Sequence, residues 1–536
     1  MRFLPVNLSA LMVELQSLEQ TMALTDSLHE TPIKGVEEIT PAARTILVRY
    51  NPVIVDAKNL VRQISARDIS KITSKLSKLV VIPVHYTGKD LAEVAEILGI
   101  STDEVIRRHT ENEYQVAFSG FAPGFGYMVS RGANLHVPRR QSPRVRIPAG
   151  SVALAGEFSS VYPQASPGGW QLIGVTDIAM WDINRAEPAL VQAGSRVNFI
   201  DAAKSTVSYS LPEKAKETVS SQGQANDFAV LATGLQTLFQ DLGRIGQSAL
   251  GISESGAMDK SALRSANRLV GNASDETVLE ITQGGFKALA NKDLVVAITG
   301  APCAIEITTE NEEHYEADVY QTIHLAKGDV IKLGRPNKGV RSYLAVRGGF
   351  NVEPVLSSRS FDTLAQVGPL PLMVGQALAI NNKATSQAIS VSETPIFDYP
   401  SADDVVVLDV ILGPRTDWFT QQAIERLTNQ LWQVTAASNR IGLRLLGEHP
   451  FEREIQQELP SEGTCIGAIQ VPANGQPVLF LNDHPLTGGY PVIGTVCEYH
   501  LSLAGQIPVN AQIRFNPLGE FKELQGSDCT YEYEQQ

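Results

Sequence analysis

The chain has 536 residues, too many for one hydrophobic core, so three or four domains are expected. Its 43% hydrophobic and 19% charged residues exclude wholesale disorder. The formal net charge of −14 argues against nucleic acid or an anionic membrane surface as the main partner, but leaves room for a small anionic substrate held by local arginines.

Residues 1–80 read as a small α+β unit, with strands at Leu11–Leu15 and Thr45–Tyr50. Ile69, Ile72, Leu76 and Leu79 share one face of an expected helix. The N-terminus lacks a secretory pattern, because Glu14 and Glu19 interrupt its apolar stretch. No apolar run is long enough to span a bilayer, and the four scattered cysteines form no CxxC pair, so a reducing cytoplasm is expected.

Val80–Val84 opens a second unit covering 81–205. Asp90 is placed to cap a helix ending near Gly99, and Ser101-Thr-Asp-Glu104 is a capping box for another that ends near His109. The pair resembles a helix-turn-helix, but the acidic chain makes DNA an unsuitable partner. A helix C-terminus favours protonated His109, which is a candidate acid–base or a structural histidine.

From Tyr114 to Phe199 short apolar runs alternate with Gly and Pro, the pattern of a β domain. Gly120, Phe121, Gly124 and Phe125 lie in a glycine loop whose N–H groups could cradle an anion, or which is simply an aromatic-packed turn. Pro138–Pro148 holds Arg139, Arg140, Arg144 and Arg146, and the last three are candidate carboxylate or phosphate ligands. A solvated strand edge is the alternative reading.

Residues 206–227 are polar and Ser-rich, the best linker in the chain. A third unit, 228–400, contains Gln240-Asp-Leu-Gly-Arg244 and a helix after Asp259 that stops at Gly271. A last unit, 401–525, carries a strand at Val405–Leu412, a helix near 417–432, and then β text with Arg440, Arg444, Gln470 and Asp483 beside glycines. Asp259 and Asp483 join His109 as catalytic candidates; Gln240, Arg244, Arg440, Arg444 and Gln470 are substrate-binding candidates.

The chain also repeats itself. Pro148–Gly150, Ser166–Trp170, Ile173-Gly174 and Arg196–Phe199 are echoed by Pro472–Gly475, Leu486–Tyr490, Ile493-Gly494 and Gln512–Phe515. No phosphate-loop motif, zinc spacing or biotin-carrying Ala-Met-Lys-Met segment occurs, so no metal and no attached biotin are expected.

Taken in order, Gly120–Phe125, Pro138-Arg-Arg140, Pro148–Val152, Ser166–Trp170, Gln240–Arg244, Gly256–Asp259, Ser357–Ser360, Ser461–Gly463, Ile469–Pro472 and Thr487–Pro491 resemble the families called allophanate hydrolase subunits 1 and 2. Many members are the B and C subunits of 5-oxoprolinase. The resemblance covers about 1–205 and about 228–520, so the two are fused here. It implies a mainly β fold with α+β parts: two cyclophilin-like β-barrel domains, each preceded by a smaller α+β domain.

The resemblance further implies cleavage of 5-oxo-L-proline to L-glutamate with ATP and a separate A-type partner protein of 5-oxoprolinase, with homo-oligomerisation left open. Two alternatives follow from the same families: the carboxyltransferase part of a biotin-dependent urea carboxylase system, and a sensor-kinase inhibitor–antagonist fusion. The chain departs from the usual Asp-Arg-Gln-Thr-Thr-Gly-Gly-Tyr at Asp483-His-Pro-Leu-Thr-Gly-Gly-Tyr490.

Overall fold

A computed structural model describes residues 1–69, 78–140, 142, 144–204, 226–381 and 389–525. The N-terminal unit is a four-stranded sheet in the order Arg2–Asn7, Ala10–Glu14, Thr45–Tyr50, Val36–Pro41. Strand side chains alternate between faces. Phe3, Leu11, Val13, Ile46 and Val48 therefore meet the helices Leu18–Glu30 and Ala57–Ser65. Leu4, Val6, Ala10, Met12 and Leu47 form the opposite face, which packs near Cys465 and Phe521 of the second half. A sheet covered on both faces has strands buried at nearly every position, as Thr45–Tyr50 is at all but Arg49. The helix expected around Ile69–Leu79 lies partly outside the described residues, and Leu79 begins a strand.

The first barrel has seven strands in the order Gln171–Val175, Ser151–Ala155, Phe158–Val161, Gly126–Val129, Glu113–Ser119, Arg196–Asp201, Leu79–Val84. Hydrogen bonds between His85 and Val175 join its two edges. The second barrel is closed in the order Val405–Leu412, Val492–Val496, Ala468–Gln470, Val478–Phe480, Gly442–Leu446, Trp432–Val434, Gln512–Pro517. Read around the ring, the two have the same connectivity, including one parallel pair between first and last strands. Gly168-Gly-Trp170 and Gly488-Gly-Tyr490 both lead into the equivalent strands Gln171–Val175 and Val492–Val496. One part of the sequence match does not correspond: Pro148–Gly150 precedes strand Ser151–Ala155, whereas Pro472–Gly475 follows the equivalent strand Ala468–Gln470.

Between the barrels, a six-stranded and a five-stranded sheet pack face to face over a core that includes Phe228, Phe239, Phe286 and Phe350. Helix Lys260–Val270 covers the outer face of the five-stranded sheet. Gly271, at φ 76°, closes that helix as its sequence predicts. Trp432 corrects the expectation of a helix to 432: the helix is Gln421–Asn429, and Trp432 is a buried strand residue stacked on Phe451 at 4.5 Å.

Candidate functional site

The two halves meet along a seam built from the motif segments. Gly124 N donates to Leu250 O at 3.1 Å, Phe121 N to Thr487 Oγ1 at 3.0 Å, and Arg139 Nη2 to Ser461 Oγ at 3.2 Å. Gly251, at φ 80°, has no room for a side chain, since a Cβ would come within 2.6 Å of Ala122 O. Phe121, Ser255, Leu356 and Ser357 have positive φ, a conformation that costs free energy in non-glycine residues and that clusters at ligand sites.

Behind the seam is a buried charge network. Arg440, 2% exposed, donates to both oxygens of Asp483 at 2.9 and 3.0 Å, to Gly256 O at 2.8 Å and to Glu280. Asp483 also accepts from Ser255 Oγ at 2.7 Å, Thr363 N at 2.9 Å and Thr363 Oγ1 at 2.7 Å. Burial opposes both charges, but each outweighs it for the other: the Arg440 pKa is raised and that of Asp483 lowered. Asp362 lies close by, and burial together with the Asp483 charge pushes its carboxyl up to about 7. Arg244 donates to Ser360 O, and Gln240 Nε2 to Phe361 O at 3.0 Å.

Chain neighbours of this network, Glu254, Ala257, Asn482 and His484, line a cavity of about 600 Å³, while the network residues themselves do not. Residues 482–484 form a turn, closed by His484 N donating to Leu481 O at 3.2 Å. Asp483 enters the network, while Asn482 and His484 line the cavity. Ala257, Met258, Lys260 and Arg264 add the start of the Lys260–Val270 helix, and Glu37, Glu38 and Arg49 come from the N-terminal sheet. Glu254 is gripped by Arg49 and Lys260, each at 2.5 Å. Burial opposes its ionisation, but the two cations outweigh it and hold the carboxyl below its usual value. Neither this cavity nor a more open groove of about 790 Å³ on the second barrel, lined by Gln422, Arg426 and His449, contains a residue of the sequence-derived set.

The structure thus gathers Gln240, Arg244, Arg440 and Asp483 into one network, with Gly120, Phe121, Gly124 and Phe125 at the seam. Gln470 is buried and donates to Tyr490 O at 3.3 Å. Asp259 is the helix cap, accepting from Ala262 N at 3.0 Å, and is enclosed by Gln506 and Tyr399. Burial raises its pKa against those hydrogen bonds.

Other candidates stand apart. Burial overrides the helix terminus at His109, holding its pKa at about 3; the ring stacks on Phe199 at 4.2 Å and bonds Tyr86 and Ser159 at 2.7 and 2.8 Å. Arg144 and Arg140 are engaged inside the chain, with Asp90. Arg144 reaches both Asp90 oxygens at 2.9 and 2.6 Å, and Arg140 reaches Asp90 at 3.2 Å and Glu93 at 2.8 Å. Asp90, 3% exposed, accepts from Leu172 N at 2.7 Å and makes no side-chain cap to its own helix. Arg146 and Arg444 are exposed.

Sequence reasoning missed Arg49, Glu254, Lys260 and His484. A charge inside the apolar run Thr45–Tyr50 was the available signal for Arg49, and the departure after Asp483 was the one for His484. No group of His, Cys, Asp and Glu suited to a metal ion occurs among the described residues. No helix among them is long and apolar enough to cross a membrane.

Residues 1–191 match the carboxyltransferase domain, subdomains C and D, and residues 250–517 match its subdomains A and B. The chain belongs to the carboxyltransferase-domain family. Its second half is 35% identical over 292 residues to the C subunit of 5-oxoprolinase from Escherichia coli K12, covering 53% of this chain and 89% of that protein. The first half is 38% identical over 192 residues to the B subunit of 5-oxoprolinase from Escherichia coli O157:H7, covering 35% of this chain and 87% of that protein. Urea amidolyase of Saccharomyces cerevisiae is 29% identical over 364 residues, which are 64% of this chain and 20% of that protein. The crystal structure of TTHA0988 superposes with a TM-score of 0.79 at 30% identity, covering 95% of this chain and 100% of that one. In this member of the family, B-like and C-like halves are joined in one polypeptide.

Proposed function

We propose that the chain is the fused B and C component of a 5-oxoprolinase, opening 5-oxo-L-proline to L-glutamate with ATP and a separate A-type partner protein. The observation that carries this reading is that the two halves match the B and C subunits over 87% and 89% of those proteins, in one chain. The cavity suits a small polar substrate in size. An unstrained ring amide resists water, so its carbonyl must be activated. Cations at the wall, Arg49 and Lys260, could stabilise charge developing on the amide oxygen.

The cavity does not fit a triphosphate, because Glu37, Glu38, Glu254 and Glu498 outnumber Arg49, Lys260 and Arg264. The nucleotide step is therefore assigned to the A-type partner. Purified chain should release no glutamate from 5-oxo-L-proline, and adding that partner from the same source should restore ATP-dependent release. Robust activity of the lone chain would overturn the division of labour. Likeness to urea amidolyase supports a second reading as a carboxyltransferase component; it calls for urea carboxylation when biotin carboxylase and biotin carrier proteins are supplied.

A further inference from the structure

Exposed apolar side chains ring the mouth of the cavity between the halves. Leu8 is exposed and stands between Asn7 and Ser9, which line the cavity. Val53, 93% exposed, and Ile54 follow the lining residue Pro52 in a turn held by Asn51, whose side chain accepts from Val53 N and whose carbonyl accepts from Ile54 N, each at 3.0 Å. Ile396, 67% exposed, and the exposed Tyr499 line the cavity from the second half. Hydrogen bonds tie these segments to one another. Tyr50 N donates to Ser9 O at 2.8 Å and the Tyr50 hydroxyl to Leu8 O at 3.3 Å. Ser9 Oγ donates to Glu498, the chain neighbour of Tyr499. The rim therefore crosses the junction of the two halves. Large apolar groups gathered around one opening mark a protein contact, whereas such residues scattered singly need no partner. Glu37 and Glu498 are exposed beside them, and Arg264 is the one exposed cation among the described residues that line the cavity.

We propose that this rim is the docking surface of the A-type partner, which seats on both halves at once and covers the cavity. The proposal rests on the 5-oxoprolinase reading for the partner's identity and adds where that partner binds. Two proteins that divide the work on one small substrate need adjoining sites, and the cavity opens to solvent here. The rim is continuous with the contact between the halves, where Arg49 pairs with Glu254 at 2.5 Å. Apolar residues at the centre of a protein contact exclude water, and polar groups surround them. The partner surface that faces Glu37 and Glu498 carries basic residues.

Calorimetry of the full chain with the A-type partner from the same source tests this. Val53→Asp and Ile396→Asp each place a charge at an exposed position. Each variant should keep the wild-type Tm and weaken binding at least about tenfold, the loss expected at the centre of a contact. Leu370→Asp, at an exposed apolar position outside the lining of the cavity, is the control and should bind as the wild type does. Wild-type affinity in the double variant Val53→Asp, Ile396→Asp would overturn the assignment, as would an equal loss in Leu370→Asp. Absence of measurable binding between the wild-type proteins would overturn it too. Self-association of the lone chain that the double variant abolishes would give the rim to a second copy and remove the partner from it. Glutamate release separates the two readings. A wild-type pair that cleaves 5-oxo-L-proline while the double variant binds normally sinks the docking surface alone. A wild-type pair that binds through the rim but never cleaves 5-oxo-L-proline sinks the 5-oxoprolinase reading alone.

Discussion

Arg144→Ala separates the two readings of the arginine segment. If the segment held substrate, the change would lower activity and leave folding alone. The structure points the other way. Two charge-assisted hydrogen bonds to Asp90, at 2.9 and 2.6 Å, would be lost, leaving a carboxylate 3% exposed with Arg140 at 3.2 Å and Leu172 N at 2.7 Å. Because those two partners remain and Arg144 is itself 24% exposed, the cost falls below that of a wholly orphaned buried charge, at about 2 kcal/mol. For a unit of this size that corresponds to a fall in Tm of roughly 4–8 °C. Thermal and urea unfolding of the single variants, with Asp90→Asn closing a double-mutant cycle, would measure a coupling of at least about 1 kcal/mol. Arg146→Ala, at an exposed position, is the control and should melt like the wild type. A Tm for Arg144→Ala within about a degree of wild type, alongside at least tenfold lower activity in the reconstituted complex, would refute the reasoning and restore the substrate role.

Arg440→Met should cost about 3–5 kcal/mol, because Asp483 would be buried without its counter-ion and Glu280 would keep only Arg341, at 3.5 Å; denaturant unfolding measures it, and a cost under about 1 kcal/mol would show the network to be solvated. Asp362 supplies a pH signature. Its folded carboxyl titrates at about 7, well above the unfolded value of about 3.9, so the folded state binds the extra proton between them. Its contribution is fully present below about pH 4 and lost as pH rises through about 7. Asp362→Asn should flatten stability over that window, and an unchanged profile would count against the assignment.

Much of the fold could be read from local signals. Ser101 accepts from Glu104 N at 3.1 Å, and the expected strand Val405–Leu412 forms over those residues. Helix Leu18–Glu30 gave no such signal, because its buried face includes Thr21 and Thr25. These hydroxyls bond back to the carbonyls of Ser17 and Thr21 at 3.1 and 2.7 Å, so polar residues sit where a periodic reading looks for apolar ones. Gln240, Arg244, Arg440 and Asp483 stand near glycines in the sequence, and the structure buries all four. The partners that decide a charge's role lie far away in sequence. Asp90 is 54 residues from Arg144, and Glu254 is 205 from Arg49. Spacing within a motif carries no trace of them, so it does not separate an arginine free to meet an anion from one paired inside the chain.

The two-faced N-terminal sheet bears on what the joining of the halves accomplishes. Leu4, Val6, Met12 and Leu47 bury their faces near Cys465 and Phe521, and Arg415 bridges Glu14 and Glu462, so contacts between the halves do not depend on the peptide that connects them. The expected linker, 206–227, lies outside the described residues up to 225; a chain cut there is expected to give two pieces that co-elute in gel filtration, and separate elution would refute this. The tether contributes local concentration, making an encounter between partners intramolecular rather than dependent on how much of each is synthesised. On this reading fusion would act on stoichiometry and assembly at low abundance more than on the architecture of the assembled protein.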